Sequence, residues 1–218
     1  ADEITSWLSK KTGPIATTIS SEEELSHMQE ANDVFVVGTF DDVDSAAAKN
    51  FLSTAGSMED FTFAITSNDE VRSALGVSSD SVVIIKTFDE KRAELEVDDS
   101  SSKNDITEFI GANGVPLVQI FSDTTSSKIF KSAIQKHTLF FTNSQEDHHE
   151  AVTEAFRTAG KEFRGKTMMI NVQESQSRVA EYFGIKSSEL PAAVFADMSS
   201  SAGMKKFRFT GDVADSDN

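Results

Sequence analysis

Apolar residues along the chain fall alternately into short continuous runs and helix-spaced stripes. Ile4, Trp7 and Leu8 stand at i, i+3, i+4 with Lys10 and Lys11 behind them, which predicts the end of a helix over residues 1–11, stopped by Gly13-Pro14. A strand is expected over residues 15–19, then a helix from about Ser21, whose Ser-Glu-Glu-Glu opening suits an N-terminal cap. Residues 34–40 are an unbroken apolar run of strand length, the pattern of a strand buried on both faces. Asp44 or Ser45 can cap the next helix, where Ala48, Phe51, Leu52 and Ala55 share a stripe that Gly56 closes. A third strand follows at 61–66 and a short helix at 68–75 ending at Gly76. Residues 82–88 and 93–97 read as a hairpin turned by Asp89-Glu90, and 105–111 as a last helix carrying Ile106, Phe109 and Ile110. The order is β-α-β-α-β-α-β-β-α.

After Pro116 the order repeats. Strands are expected at 117–121, 138–141 and 168–172, a hairpin at 192–196 and 205–209, and helices at about 124–132, 146–163 and 177–183. The longest of these helices carries Val152, Ala155, Phe156, Ala159 and Phe163 on one stripe. Residue matches accompany the repeat. Ile4-Thr5-x-Trp7-Leu8 recurs as Ile106-Thr107-x-Phe109-Ile110, Thr54-Ala55-Gly56 as Thr158-Ala159-Gly160, and Leu75-Gly76-Val77 as Phe183-Gly184-Ile185. The phasing predicts that residues 1–11 close a unit lying upstream, and that the second unit's own closing helix would begin after Asn218.

Residues 116–142 hold the densest apolar content, with Phe121, Phe130, Phe140 and Phe141 among branched residues and no acid after Asp123. Charge sharpens this contrast. The chain has net charge −16, but residues 1–113 carry 23 acids against 8 Lys and Arg, whereas residues 114–218 carry 13 against 12 and ten of the 17 Phe. An acidic chain argues against nucleic acid and anionic membrane partners, which need a basic face. No apolar run reaches transmembrane length. The absence of Cys excludes disulfides, thiolate chemistry and Cys-ligated zinc in this chain.

Other chemistry is sparse, and neither a metal nor a cofactor is implied. His148 and His149 are adjacent in a predicted helix and point apart, which disfavours a metal pair. His27 sits in an acidic helix and reads as solvated. The acid runs 22–24, 41–42 and 98–99 read as solvated faces without EF-hand spacing. No Gly-rich phosphate loop, G-x-S-x-G elbow or H-E-x-x-H occurs.

The segments ITSWLSKKTGP, VVGTFDDVDSAAAKNFL, FAITSNDEVRSALGV, PLVQIFSDTTSSKIFKSAIQKHTLFF and VAEYFGI, in this order, resemble the non-catalytic b and b′ domains of the protein disulfide isomerases. The resemblance implies an α/β fold of two tandem thioredoxin-like domains, each a mixed central sheet flanked by helices, at 14–113 and 114–218. Residues 1–13 would be the tail helix and linker of a preceding catalytic domain. It further implies an endoplasmic reticulum setting, flanking Cys-x-x-Cys domains as partners, and binding of unfolded or partly folded polypeptide at an apolar pocket of the second domain. The pocket residues carried over are Phe121, Phe130, His137, Phe140, Phe156, Ile170 and Tyr182, with Thr142 standing where relatives more often have an aliphatic side chain. Pro191 is expected to be a structural cis-proline. From the residues alone, each Phe has a competing reading as core. Two rival functions share this fold: a stand-alone redox-inactive chaperone, and a low-affinity calcium-storage protein resembling calsequestrin.

Overall fold

The computed structural model describes residues 13–201 and 203–213. The helix expected over residues 1–11 lies outside them. The chain divides into unit 1, Ala1–Gly114, and unit 2, Val115–Asn218.

Unit 1 runs β1 (Thr17–Thr18), α1 (Glu22–Ala31), β2 (Val34–Thr39), α2 (Ala46–Ala55), β3 (Thr62–Thr66), α3 (Asp69–Leu75), β4 (Ser81–Lys86), β5 (Arg92–Glu96) and α4 (Lys103–Asn113). The sheet order is β1-β3-β2-β4-β5. β1 and β2 pair parallel to β3, whereas β4 and β5 close the sheet antiparallel. Phe35, Val36 and Val37 of β2 are all at 0% exposure, because helices cover both faces, and this accounts for the unbroken apolar run. Phe35 and Val37 join Leu25 and Val71 on one face; Val36 joins Phe51, Ile106 and Ile110 on the other. A Cβ at Gly38 would lie 2.7 Å from the Phe51 ring, so the α2 aromatic needs a bare backbone beneath it.

Local chemistry sets the element ends. Ser21, Ser45, Asn68 and Ser102 each accept a backbone N–H from the first turn of the helix they precede. Asp89 and Lys91 take positive φ in the β4–β5 turn.

Unit 2 runs β6 (Val118–Ile120), α5 (Asp123–Lys131), β7 (Lys136–Thr142), α6 (His149–Glu162), β8 (Met168–Gln173), α7 (Ser177–Phe183), a 3-10 turn (Ser187–Glu189), β9 (Ala192–Asp197) and β10 (Lys205–Arg208). Its order, β10-β9-β7-β8-β6, has the same pairing sense. Both units are therefore mixed five-stranded sheets flanked by helices. The Leu190-Pro191 bond is cis. The repeat extends to the caps, since Gly76 and Gly184 end α3 and α7 in the left-handed conformation with φ of 68° and 71°.

Candidate functional site

β7 divides its side chains by alternation between two faces. His137, Leu139 and Phe141 face α5 and α7, and Phe140 faces α6. On the first face Leu139 stands opposite Ile170 of β8 and His137 opposite Ala196 of β9, which makes an apolar floor. α5 supplies Ile129 and Phe130, α7 supplies Arg178, Val179, Tyr182 and Phe183, and Phe121, Met198 and Met204 close the sides. Together they line an open pocket of about 200 Å³.

Two aromatics stand at its mouth in water, Phe130 at 54% exposure and Tyr182 at 61%. Phe130 meets Phe121 edge-on at 6.4 Å between ring centroids, and lies 6.4 Å from the His137 ring. Tyr182 meets Phe183 at 5.2 Å and 90°. Lys206 Nζ lies 3.5 Å from the centre of the Tyr182 ring and donates to the Tyr182 carbonyl at 2.8 Å, so this exposed ring is held from one face. α5 is anchored lightly. Its one buried residue is Ile129, and its start is fixed by Ser122, which accepts from Thr125 N–H while Thr125 Oγ1 accepts from Ser122 N–H.

Electrostatically the pocket is bare. Among its lining residues only Arg178 is charged, and no carboxylate faces it. His137 is at 3% exposure with Nε2 2.9 Å from the Ile134 carbonyl; the ring nitrogen donates there, which fixes the neutral tautomer. Burial holds its imidazole below the ordinary value of 6.5, with that hydrogen bond pulling the other way.

Five of the seven residues carried over from the resemblance come together here: Phe121, Phe130, His137, Ile170 and Tyr182. Phe140 and Phe156 do not. Phe140 is at 0% exposure on the opposite face, stacked on Phe156 of α6 at 4.2 Å and 9°. The reason is the two-residue period of a strand: His137 and Phe140 differ by an odd number of positions and so point apart. β6 and β7 are also not neighbours, since β8 runs between them, so Phe121 reaches the pocket across Ile170. Thr142 shares the Phe140 face, where it donates to Asn171 at 3.0 Å and meets His149 Nδ1 at 3.1 Å, and it has no part in the pocket. Leu139 could have been found from parity with His137, and Phe183 as the neighbour of Tyr182. Met198 and Met204 lie in a connection with no periodic signal.

A thioredoxin-like domain family model matches residues 40–217. The chain belongs to the thioredoxin-like family. Within it, this thioredoxin-like pair is 40% identical over 195 residues to the protein disulfide-isomerase of Gallus gallus, covering 88% of this chain and 38% of the relative. It is 37% identical over 195 residues to that of Oryctolagus cuniculus, again 88% and 38%. The chain thus spans less than two fifths of these relatives. The crystal structure of the bb fragment of ERp72 shares the fold at TM-score 0.60 and 18% identity, covering 94% of this chain and 93% of that one. The segment is a protein disulfide-isomerase type of thioredoxin-like region, and with no Cys it carries no thiol-disulfide chemistry of its own.

Proposed function

We propose that unit 2 holds unfolded or partly folded polypeptide in the pocket of Phe121, Phe130, His137, Ile170 and Tyr182. In this reading the chain is the non-catalytic, client-binding region of a protein disulfide-isomerase in the endoplasmic reticulum lumen, and flanking thioredoxin domains supply the exchanging thiols. The observation that carries the reading is the pair of half-exposed aromatics, Phe130 and Tyr182, at the mouth of an apolar cavity of about 200 Å³. Aromatic surface left in water beside a preformed apolar cavity is unfavourable unless something covers it. Two methionines in the wall add a lining that adapts to different side chains.

Magnitudes favour weak, exchangeable binding. Covering roughly 300 Å² of apolar surface is worth about 7 kcal/mol gross, and lost freedom on association takes back much of it. The dissociation constant then falls between about ten micromolar and millimolar, which lets clients leave. Directional recognition is minimal, since Arg178, the buried His137 and the Tyr182 hydroxyl are the polar side-chain groups of the wall.

The test is a titration of an unfolded peptide into isotope-labelled protein. Resonances of Phe121, Phe130, Ile170 and Tyr182 are expected to move, with those of Phe140 and Phe156 changing least. Unmoved pocket resonances at millimolar peptide would refute the proposal.

A further inference from the structure

β10 is an edge strand, and among the described residues no strand lies along its outer side. Phe209 N–H donates to the Ala193 carbonyl at 3.0 Å, so alternation along the antiparallel ladder turns the backbone of Lys205, Phe207 and Phe209 toward β9. The N–H and C=O groups of Lys206 and Arg208 therefore point outward. Beyond β10 the chain turns away from this edge, because Val213 packs with Phe140 and Ala193 on the α6 face. Unit 1 has the same topology: β5 ends its sheet, and α4 behind it covers the Phe51 side rather than the edge.

The side chains of β10 divide between the two faces of the sheet. Phe207 borders an apolar groove of about 300 Å³ on the α6 face, lined also by Phe156, Ala159 and Phe195. Lys206 stands opposite Ala196 of the client pocket, with its Nζ on the Tyr182 ring, and Met204 just before β10 is part of the pocket wall. The strand thus borders the pocket. It reads Lys-Lys-Phe-Arg, a cationic run in a chain of net charge −16. Lys136 and Lys205 flank Asp197, and Arg208 pairs with Glu189 at 3.0 Å, which sets four cations against two carboxylates. The corresponding β5 carries Glu94 and Glu96 against Arg92.

We propose that an acidic, extended segment of a client polypeptide pairs with the outer edge of β10 as an added strand, next to the pocket that takes its apolar side chain. This pairing rests on the client-binding reading of the pocket, and it gives the bound chain a direction that the pocket wall does not. Main-chain bonds to Lys206 and Arg208 are independent of client sequence. Cations on an edge strand ordinarily deter pairing. Here they turn away basic and uncharged strands and admit one whose carboxylates neutralise them.

Short peptides sharing one central Leu, with Glu, Gln or Lys at alternate positions, are titrated into the whole isotope-labelled protein. At about 0.05 M salt the Glu peptide should bind roughly tenfold more tightly than the Gln peptide, because several exposed ion pairs each contribute a few-fold at most. The Lys peptide should bind more weakly than either. At about 0.5 M salt, where screening acts within roughly 4 Å, the Glu and Gln peptides should converge. The Lys206 and Arg208 amides should exchange more slowly with the Glu peptide bound. A Glu peptide N-methylated at alternate residues keeps its charge but cannot pair as a strand, and should lose the advantage. Lys205→Glu should abolish the preference for Glu over Gln. Equal affinity of the Glu and Gln peptides overturns the edge pairing and leaves the pocket reading standing, as does an N-methylated peptide that binds as tightly as its parent. Slowed Lys206 and Arg208 amides with unmoved Phe121 and Ile170 resonances support the edge pairing and refute the pocket. Lys206 and Arg208 amides whose protection rises with the concentration of free protein assign the edge to a second copy of this chain, and overturn the proposal.

Discussion

Phe130 and Phe140 are the same side chain in opposite settings, and truncating each separates binding from stability. Phe130 is 54% exposed and touches the ring of Phe121 and the His137 imidazole. Phe130→Ala should therefore cost under about 1 kcal/mol of stability while weakening peptide binding roughly tenfold, checked by denaturant unfolding and by titration. Phe140 is at 0% exposure against Phe156, so Phe140→Ala should cost about 3–5 kcal/mol, with peptide affinity of the folded protein nearly unchanged. A reversed outcome would exchange the roles of the two faces. His137 adds a pH dependence. Its folded-state pKa is lowered by burial from an unfolded value of 6.5, so in the window beneath 6.5 the unfolded chain binds the proton that the folded chain refuses. The contribution is complete above that value and is lost as pH falls through the window. Unfolding followed at about pH 7.5 and about pH 5.5 should show this loss, and His137→Gln should reduce it; an equal slope in the variant would assign the effect elsewhere.

Among the elements, α5 is the one whose attachment decides access to the pocket. It is held by Ile129, by the reciprocal Ser122 and Thr125 cap, and by Thr125 Oγ1 donating to the Ile120 carbonyl at 2.7 Å. Ser122→Ala should cost about 1 kcal/mol and raise amide exchange in α5 while leaving α6 unchanged, with peptide affinity falling as the pocket wall loosens. Uniform acceleration across unit 2 would mean that α5 does not open on its own. Most elements were legible because each answers to one local signal: β2 to an unbroken apolar run, α2 to its stripe, α7 to a glycine that ends it. The start of α6 was not. Residues 143–148 form turns in which Asn143 Oδ1 accepts from Gln145 N–H and the Asn143 carbonyl from Glu146 N–H, so the helix begins only at His149. The strand expected over residues 15–19 is shorter, with Thr17 and Thr18 in register with β3 and Ile19 N–H donating to the Ile65 carbonyl at its end. The site was legible as a cluster but not as a face. Phe140 and Phe141 are equally apolar, and only the register of β7 against β8 and β9 decides which of them meets α6. The resemblance carried Phe140 and Phe156 to the pocket, and strand alternation assigns them to the core of the other face.

Across the whole molecule, charge and aromatic surface are segregated. Unit 1 carries the acidic excess, while the two apolar cavities described here belong to unit 2. Asp41, Asp42, Asp80 and Asp99 of unit 1 gather at one end of its sheet, after β2, before β4 and after β5. Asp80 is raised above its ordinary value of 3.8 by burial first and by the charges of Asp99 and Asp42 after it, against the opposing pull of Arg72. Arg72, at 8% exposure, is paired with Asp41 and lies 3.8 Å from Asp80. Such crowding disfavours the compact state through self-repulsion, and keeps apolar surfaces of separate molecules apart. Salt should relieve the first effect selectively. Raising the ionic strength from about 0.02 M to about 0.5 M shortens the screening length from roughly 20 Å to roughly 4 Å. Amide exchange near the unfolding midpoint should then slow in unit 1 and change little in unit 2, whose balance of acids and bases is nearly even. Peptide binding at the pocket should stay nearly constant over the same range, because its wall carries a single charge, Arg178. Equal slowing in both units would show that the acidic excess of unit 1 costs it no stability, and a steep loss of peptide affinity with salt would mean that charge rather than apolar contact holds the client.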